Sequence, residues 1–349
     1  MTASNHLFSE ITQLEKTIQN SELPQNLRAK ISNSLSRLEG AARFGGYLNE
    51  HESLLRYADW VLNLPWEKTS DDILNLAQAR KIFDKNHYGL TNIKERILEY
   101  LSVLSLKKGQ NAAVRAPILC LVGLVGTGKT TLAASIAEAM GRKIARIPFG
   151  GMGDARELRG QSRTLPDAEP GQIIKALRRI QVKNPVILLD EIDRVAESTR
   201  SDLMGVLVEL LDPEQNMAFV DHYIDYPFDL SQVLFIATAN NTTNISTAVL
   251  DRLEPIQMPS YTDEEKIMIA GAYILPKAIA ESGLAPNVVI VDGDVWPKIV
   301  RPLGFDAGIR TLERTVSGIC RKVAKQIVEG KGKQFHITLA NVNEFLPVW

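Results

Sequence analysis

The stretch "CLVGLVGTGKTTLAASIAEAM", residues 120–140, decides how this chain is read. Gly123, Gly126, Gly128, Lys129 and Thr130 satisfy the spacing G-x-x-x-x-G-K-[ST]. The apolar run "APILCLVG" leading into it reads as a buried strand, and the residues after it read as a helix. In that setting the loop Gly123, Leu124, Val125, Gly126, Thr127, Gly128 curls its backbone N–H groups around phosphate oxygens. The helix start at Lys129, Thr130 and Thr131 adds a partial positive charge. Lys129 is placed to reach the β- and γ-phosphates, and Thr130 to ligate magnesium. The bland alternative, a glycine turn with an exposed lysine, would need neither the strand nor the helix.

"NPVILLDEID", residues 184–193, supplies the complement. Its apolar run puts Asp190 at the end of a buried strand, where a carboxylate holds a magnesium shell. Glu191 follows, positioned to polarise an attacking water. The acids could instead open a solvated loop, but the phosphate loop upstream favours the chemical reading. A small-molecule kinase must exclude water and has no use for such a glutamate, and the guanine-reading pattern N-K-x-D is absent. "VLFIATANN" places Asn240 at the tip of another buried strand, either to hold the water or simply to enter a turn. Arg252 in "AVLDRLEP" and Arg310 in "DAGIRTLER" could stabilise phosphoryl charge, in cis or from a neighbouring subunit. Taken singly, each reads more readily as a solvated surface arginine.

The 349 residues are 45% hydrophobic and 23% charged, with a formal net charge of -1, which suits a soluble globular protein of two or three domains. No strongly basic face is implied, which argues against a dedicated nucleic-acid binder. The two cysteines, Cys120 and Cys320, fit no ligand spacing and suggest a reducing compartment. The N-terminus "MTASNHLFSEITQLEK" lacks an apolar signal core, and no run reaches the ~18 apolar residues of a membrane span. A cytoplasmic protein is expected.

Leu7, Ile11, Leu14 and Ile18, then Leu27, Ile31, Leu35 and Leu38, recur at helical spacing on either side of Pro24. "ARFGGYLNEHE", residues 42–52, should interrupt the helices. From about residue 71, helices alternate with the runs "APILCLVG", "RKIARIPF", "NPVILLDEID" and "SQVLFIATAN", read as parallel strands buried on both faces. After Pro259 the pattern is helical, with "NVVIVD" and "QFHITLA" as a short strand pair. The expected division is a helical segment at 1–64, an α/β nucleotide-binding domain at 65–262 and a small helical domain at 263–349.

Taken together, the phosphate loop, Asp-Glu pair, strand-end Asn, Asp-Arg and Gly-Ile-Arg resemble an AAA+ ATPase. "FDKNHYGLTNIKERILEYLSV", "ARELRG", "LLDEIDRV", "ELLDPEQNMAFVDHYIDYPFDLSQVLFIATAN" and "ILPKAIAESGL" look like the ATPase module of the Lon protease family, from about residue 60 onward. The resemblance implies an α/β fold: a P-loop AAA+ parallel sheet in three layers, a helical lid domain and an N-terminal helical segment. It implies ATP and Mg2+ as cofactors. Asp190 and Glu191 match the Walker B pair, Asn240 sensor 1, Arg252 the arginine finger and Arg310 sensor 2; His87 and Tyr88 match the segment beside the adenine. It also implies a homohexameric ring in which Arg252 completes the neighbour's site, acting on unfolded or misfolded protein.

Two departures qualify this. The chain stops at "NVNEFLPVW", where the family's Ser-Lys peptidase domain would follow. The expectation is a motor without a peptidase site on this chain, served by a separate peptidase or none. The alternative is a regulatory ATPase acting through its N-terminal helices. In the substrate-gripping frame R-T-x-x-x-A-x-P-G, here "RTLPDAEPG" at residues 163–171, Leu165 and Pro166 replace an aromatic–aliphatic pair, and Asp167 and Glu169 add negative charge. "VAESTRSDLMG", residues 195–205, reads as a second, polar and mobile pore-facing segment, and Leu124-Val125 replaces the family's usual Pro-Pro.

Overall fold

Apolar runs without polar alternation form strands only where helices cover both faces, and the middle of this chain is built that way. A computed structural model describes residues 2–43, 48–109, 118–301 and 308–347. Its strands are β1 (Ile118–Val122), β2 (Ile144–Pro148), β3 (Val186–Asp190), β4 (Phe219–Val220), β5 (Pro227–Phe228), β6 (Leu234–Ala239), β7 (Leu253–Gln257), β8 (Val289–Val291) and β9 (Phe335–Ile337). One sheet runs β2-β3-β6-β1-β7, with every pairing in it parallel.

Helices α1 (Thr2–Gln19), α2 (Gln25–Arg43) and α3 (Leu48–Leu62) open the chain. Next come α4 (Leu76–Asn86), α5 (Thr91–Gly109), α6 (Lys129–Ala139), α7 (Arg156–Arg159), α8 (Gln172–Ile180), α9 (Arg200–Leu211) and α10 (Thr247–Leu250). The C-terminal unit holds α11 (Asp263–Ile269), α12 (Leu275–Glu281), α13 (Trp296–Val300), α14 (Arg310–Val328) and α15 (Val342–Phe345), with a π-turn at Ala270–Ile274.

Alternate strand residues serve the two faces. Leu119, Leu121, Leu188 and Ile236 pack with Phe83 of α4, Ile97 of α5 and Leu132 of α6. Cys120, Ile187, Leu189 and Phe235 pack with Ile173 of α8 and Leu207 of α9. The result is an α/β three-layer domain. The N-terminal helices join the second face: Ile11, Ile31, Leu35 and Tyr57 belong to the same buried cluster. Trp66 anchors the join, its ring edge-on to Tyr226 at 5.8 Å and tilted on Phe228 at 5.0 Å. The C-terminal unit has its own core around Trp296, Val316 and Ile319, with β8 and β9 paired in it. A capping box starts α11: Glu265 N–H donates to Thr262 Oγ1 at 3.2 Å, and Thr262 N–H to the Glu265 carboxylate at 2.9 Å. Among the described residues no helix is long and apolar enough to cross a membrane.

Three local expectations are corrected. β2 is an edge strand whose residues alternate exposed and buried, with Ile144, Arg146 and Pro148 outward. The outer edge of a sheet needs cover on one face only. Of the break expected at 42–52, residues 48–52 already belong to α3, while 44–47 lie outside the described residues, as do Asp306 and Ala307 before Arg310. The 195–205 segment, read as mobile, forms a 3-10 turn and the start of α9, because Val195, Leu203 and Met204 are buried.

Phe83, fully buried in the helix that leads into His87, should be the costliest truncation on that face. Phe83→Ala is expected to lower the urea-measured stability by about 3–5 kcal/mol.

Candidate functional site

The strand order puts the ends of β3, β6 and β1 side by side. Each end carries one piece of a polar cluster. After β1 come the glycines, with Gly126 and Gly128 at φ of 83° and 89°, a conformation glycine adopts without steric cost. β3 ends at Asp190, which is 3% exposed. Asn240 directly follows β6.

Asp190 is held from three sides. Thr238 Oγ1 donates to its Oδ1 at 2.5 Å, Arg146 Nε to its Oδ2 at 2.6 Å, and Thr130 Oγ1 stands 3.5 Å from Oδ1. Thr238 also accepts the Glu191 N–H at 2.8 Å, so one hydroxyl fixes both acids. Glu191 sits at φ 56°, and its carboxylate lies 3.4 Å from Arg194. Lys129 Nζ donates to the carbonyls of Gly123 at 2.6 Å and Leu124 at 3.0 Å, and to Asn240 Oδ1 at 3.2 Å. Burial pushes the Lys129 ammonium below its ordinary pKa, against the pull of Glu191, Asp193 and Asp190. The other end of the Asn240 amide, Nδ2, is buried with no partner. A buried donor left open beside the Lys129 cation fits an anionic ligand such as a terminal phosphate. Among the described residues no cluster of three His, Cys, Asp or Glu side chains forms a metal cage. Thr130 and Asp190 suit a magnesium ion completed by phosphate oxygens and water.

The C-terminal unit closes over this loop. Ile309 N–H donates to Gly126 O at 3.0 Å. A Cβ on Gly308 would lie 2.4 Å from Val125 O, so only glycine fits. Tyr261 Oη donates to Thr127 O at 3.2 Å. Between the two units is a cleft of about 880 Å³, lined by His87, Tyr88, Gly128, Thr131 and Ser135 on one side and Ile274, Arg310, Glu313 and Arg314 on the other. That is a volume suited to a small ligand. A second pocket of about 590 Å³ lies beside Asn240, Asp193, Arg194 and Gly151. His87 is buried, its Nε2 2.9 Å from Ser135 Oγ.

The structure thus brings the glycine loop, Lys129, Thr130, Asp190, Glu191 and Asn240 together, with His87, Tyr88, Thr131 and Arg310 around the adjoining cleft. Arg252 stands apart: its guanidinium donates to Ala248 O at 2.7 Å and Asp212 Oδ2 at 2.9 Å. In the 163–171 loop, Leu165 is 45% exposed, with Pro166 and Asp167 exposed beside it. Glu169 is paired with Lys175, so the negative charge expected from two acids falls mainly on Asp167. Sequence reading missed Thr238, Arg146, Arg194, Tyr261 and Ile309. Thr238 had a signal: it is the lone hydroxyl in an apolar run, and a buried hydroxyl needs a partner.

A phosphate loop, a strand-end acid pair and a helical unit closing on the loop define a P-loop ATPase of the AAA+ class. Residues 119–261 match the family model of the AAA ATPases associated with various cellular activities. Residues 280–335 match the Lon protease AAA+ ATPase lid domain. The chain belongs to the Lon protease family, as its AAA+ module. It is similar to the Lon protease of Lawsonia intracellularis (44% identical over 97% of this chain and 40% of the relative). Trichlorobacter lovleyi Lon protease is 42% identical over 97% of this chain and 40% of the relative. For Herpetosiphon aurantiacus Lon protease 2 the figures are 41%, 97% and 41%. The chain spans about 40% of the length of these curated relatives.

Burial, helped by nearby Lys94, pushes the His87 pKa from 6.5 down to about 4. The folded state therefore resists a proton that the unfolded chain takes up, and stability is lost as pH falls from about 6.5 to about 4. The wild type should lose about 2 kcal/mol between pH 7.5 and pH 5 that His87→Gln keeps, as read by urea titration at both pH values.

Proposed function

We propose that this module hydrolyses ATP with magnesium in a ring of identical subunits and uses the cycle to remodel, unfold or translocate unfolded or misfolded polypeptide. The observation that carries the nucleotide site is the open Asn240 Nδ2, on the amide that bonds Lys129 at the end of the strand beside the one that carries Asp190. In this reading the N–H groups of 123–128 and Lys129 hold the phosphates, and His87 and Tyr88 flank the base. Thr130 and Asp190 hold the magnesium ion, which supplies charge neutralisation on the phosphate oxygens. Glu191 takes the proton of the attacking water, and Asn240 Nδ2 donates to that water or to the terminal phosphate. Arg310, on the lid, steadies the phosphate charge and ties lid position to nucleotide state. Arg252, held by Asp212 and Ala248, serves the site of the neighbouring subunit, which fits its distance from its own.

The division at 64/65 and 262/263 belongs to the same reading, as does the assignment of Leu165 and Pro166 to the polypeptide-gripping loop. A separately encoded peptidase is the partner that would add proteolysis. Two buried free cysteines suit a cytoplasmic, reducing setting. The scaffold alternative gains little, because Ile11 and Ile18 of α1, Leu27, Ile31 and Leu35 of α2 and Tyr57 and Val61 of α3 are already buried in one cluster with large-domain residues.

Hydrolysis per subunit, measured against protein concentration with magnesium, tests the ring. The rate should rise with concentration, and Arg252→Ala should remove at least about 100-fold of it while nucleotide still binds. Glu191→Gln should lose hydrolysis in the same way and keep binding. A flat rate, or an unaltered Arg252→Ala, would overturn the shared site.

A further inference from the structure

Asp221 lies outside the nucleotide site and is 1% exposed. Its Oδ2 accepts the Gly171 N–H at 2.7 Å, and its Oδ1 accepts those of Tyr223 at 2.8 Å and Ile224 at 3.1 Å. Gly171 is one stem of the 163–169 loop, which is exposed at 164–167 and 169. The other stem abuts the same carboxylate: a Cβ on Gly160 would lie 2.6 Å from Asp221 Oδ1. His222 N–H, next in the chain, donates to Arg159 O at 2.7 Å. Both stems are thus built against one buried acid.

The same turn carries the N-terminal helices. Tyr57 Oη on α3 donates to Ile224 O at 3.0 Å. Lys30 Nζ on α2 donates to Asp225 Oδ2 at 2.7 Å. Arg163, the first residue of the loop, stacks over the Tyr57 ring at 3.8 Å and stands 3.7 Å from Asp225 Oδ2. The contacts form an unbroken chain from α2 and α3, through 221–225, to both ends of the loop.

We infer that the 221–225 turn is a mechanical link through which the N-terminal helices set the position of the 163–169 loop. Asp221 is the positioning residue for the stems, and Tyr57 and Asp225 tie the turn to the helices. The functional half of this inference rests on the reading that the loop grips polypeptide; the structural half does not.

Two variants separate the parts. Tyr57→Phe/Asp225→Asn removes the hydroxyl and the charge while keeping a residue that tolerates the φ of 50° at position 225. Asp221→Asn removes a charged acceptor from the stems and tests the hub; should it fail to fold, the first variant still decides. Hydrogen exchange of amides 161–170 and ATP hydrolysis, basal and with a reduced, carboxymethylated globular protein as polypeptide, are measured in each. The double variant should exchange these amides about 10-fold faster, keep basal hydrolysis, and lose most of the polypeptide-stimulated increment. Unchanged exchange would overturn the link. Faster exchange with full stimulation would overturn its functional half. A wild type that hydrolyses ATP but ignores polypeptide would instead sink the gripping reading, with exchange still judging the link.

Discussion

A parallel sheet covered on both faces leaves its polar chemistry one place to go, the carboxyl ends of its strands. That constraint organises the molecule. In the order β2-β3-β6-β1-β7, the ends of β3, β6 and β1 are neighbours, so Asp190, Asn240 and the glycine loop meet although they lie far apart in the chain. The meeting is made rigid by groups inside the sheet. Thr238, in β6, spends its hydroxyl on Asp190 and accepts from Glu191, and Arg146 reaches in from the edge strand. Two buried atoms in and beside the cluster have no partner, Asn240 Nδ2 and Asp193 Oδ1.

The lid is part of this cluster, because it is bonded to the glycine loop itself. The Ile309–Gly126 hydrogen bond and the bare backbone of Gly308 against Val125 allow no side chain and no water between them. A change in the shape of the phosphate loop must therefore be felt by α14, whose first residue is Arg310. The π-turn at Ala270–Ile274 lines the same side of that cleft as Arg310. Such interruptions of regular helix geometry are often found at functional sites.

Much of this was legible from residues alone, for a physical reason. Motif spacings such as those at Gly123–Lys129 and Asp190–Glu191 are local, and flanking periodicity tells which element carries them. The failures lie where tertiary position decides. The aliphatic run around β2 reads as a strand buried on both faces; only its place at the sheet edge makes Arg146 outward and free to reach Asp190. β7 went unread because five residues containing Glu254 and Pro255 carry no strand signal, and Pro is tolerated there because it is an edge. The pairings Arg252–Asp212 and Glu169–Lys175 depend on side-chain reach across a fold. No spacing rule contains that.

Glu191 holds a left-handed backbone, a conformation that costs a residue of its type on the order of 1–3 kcal/mol. The main chain thereby sets the direction in which the side chain leaves the backbone, and the side-chain torsions, with Arg194 3.4 Å from the carboxylate, set the rest. Glycine or asparagine would hold the same backbone at lower cost, so replacing Glu191 with either should raise the stability of the fold.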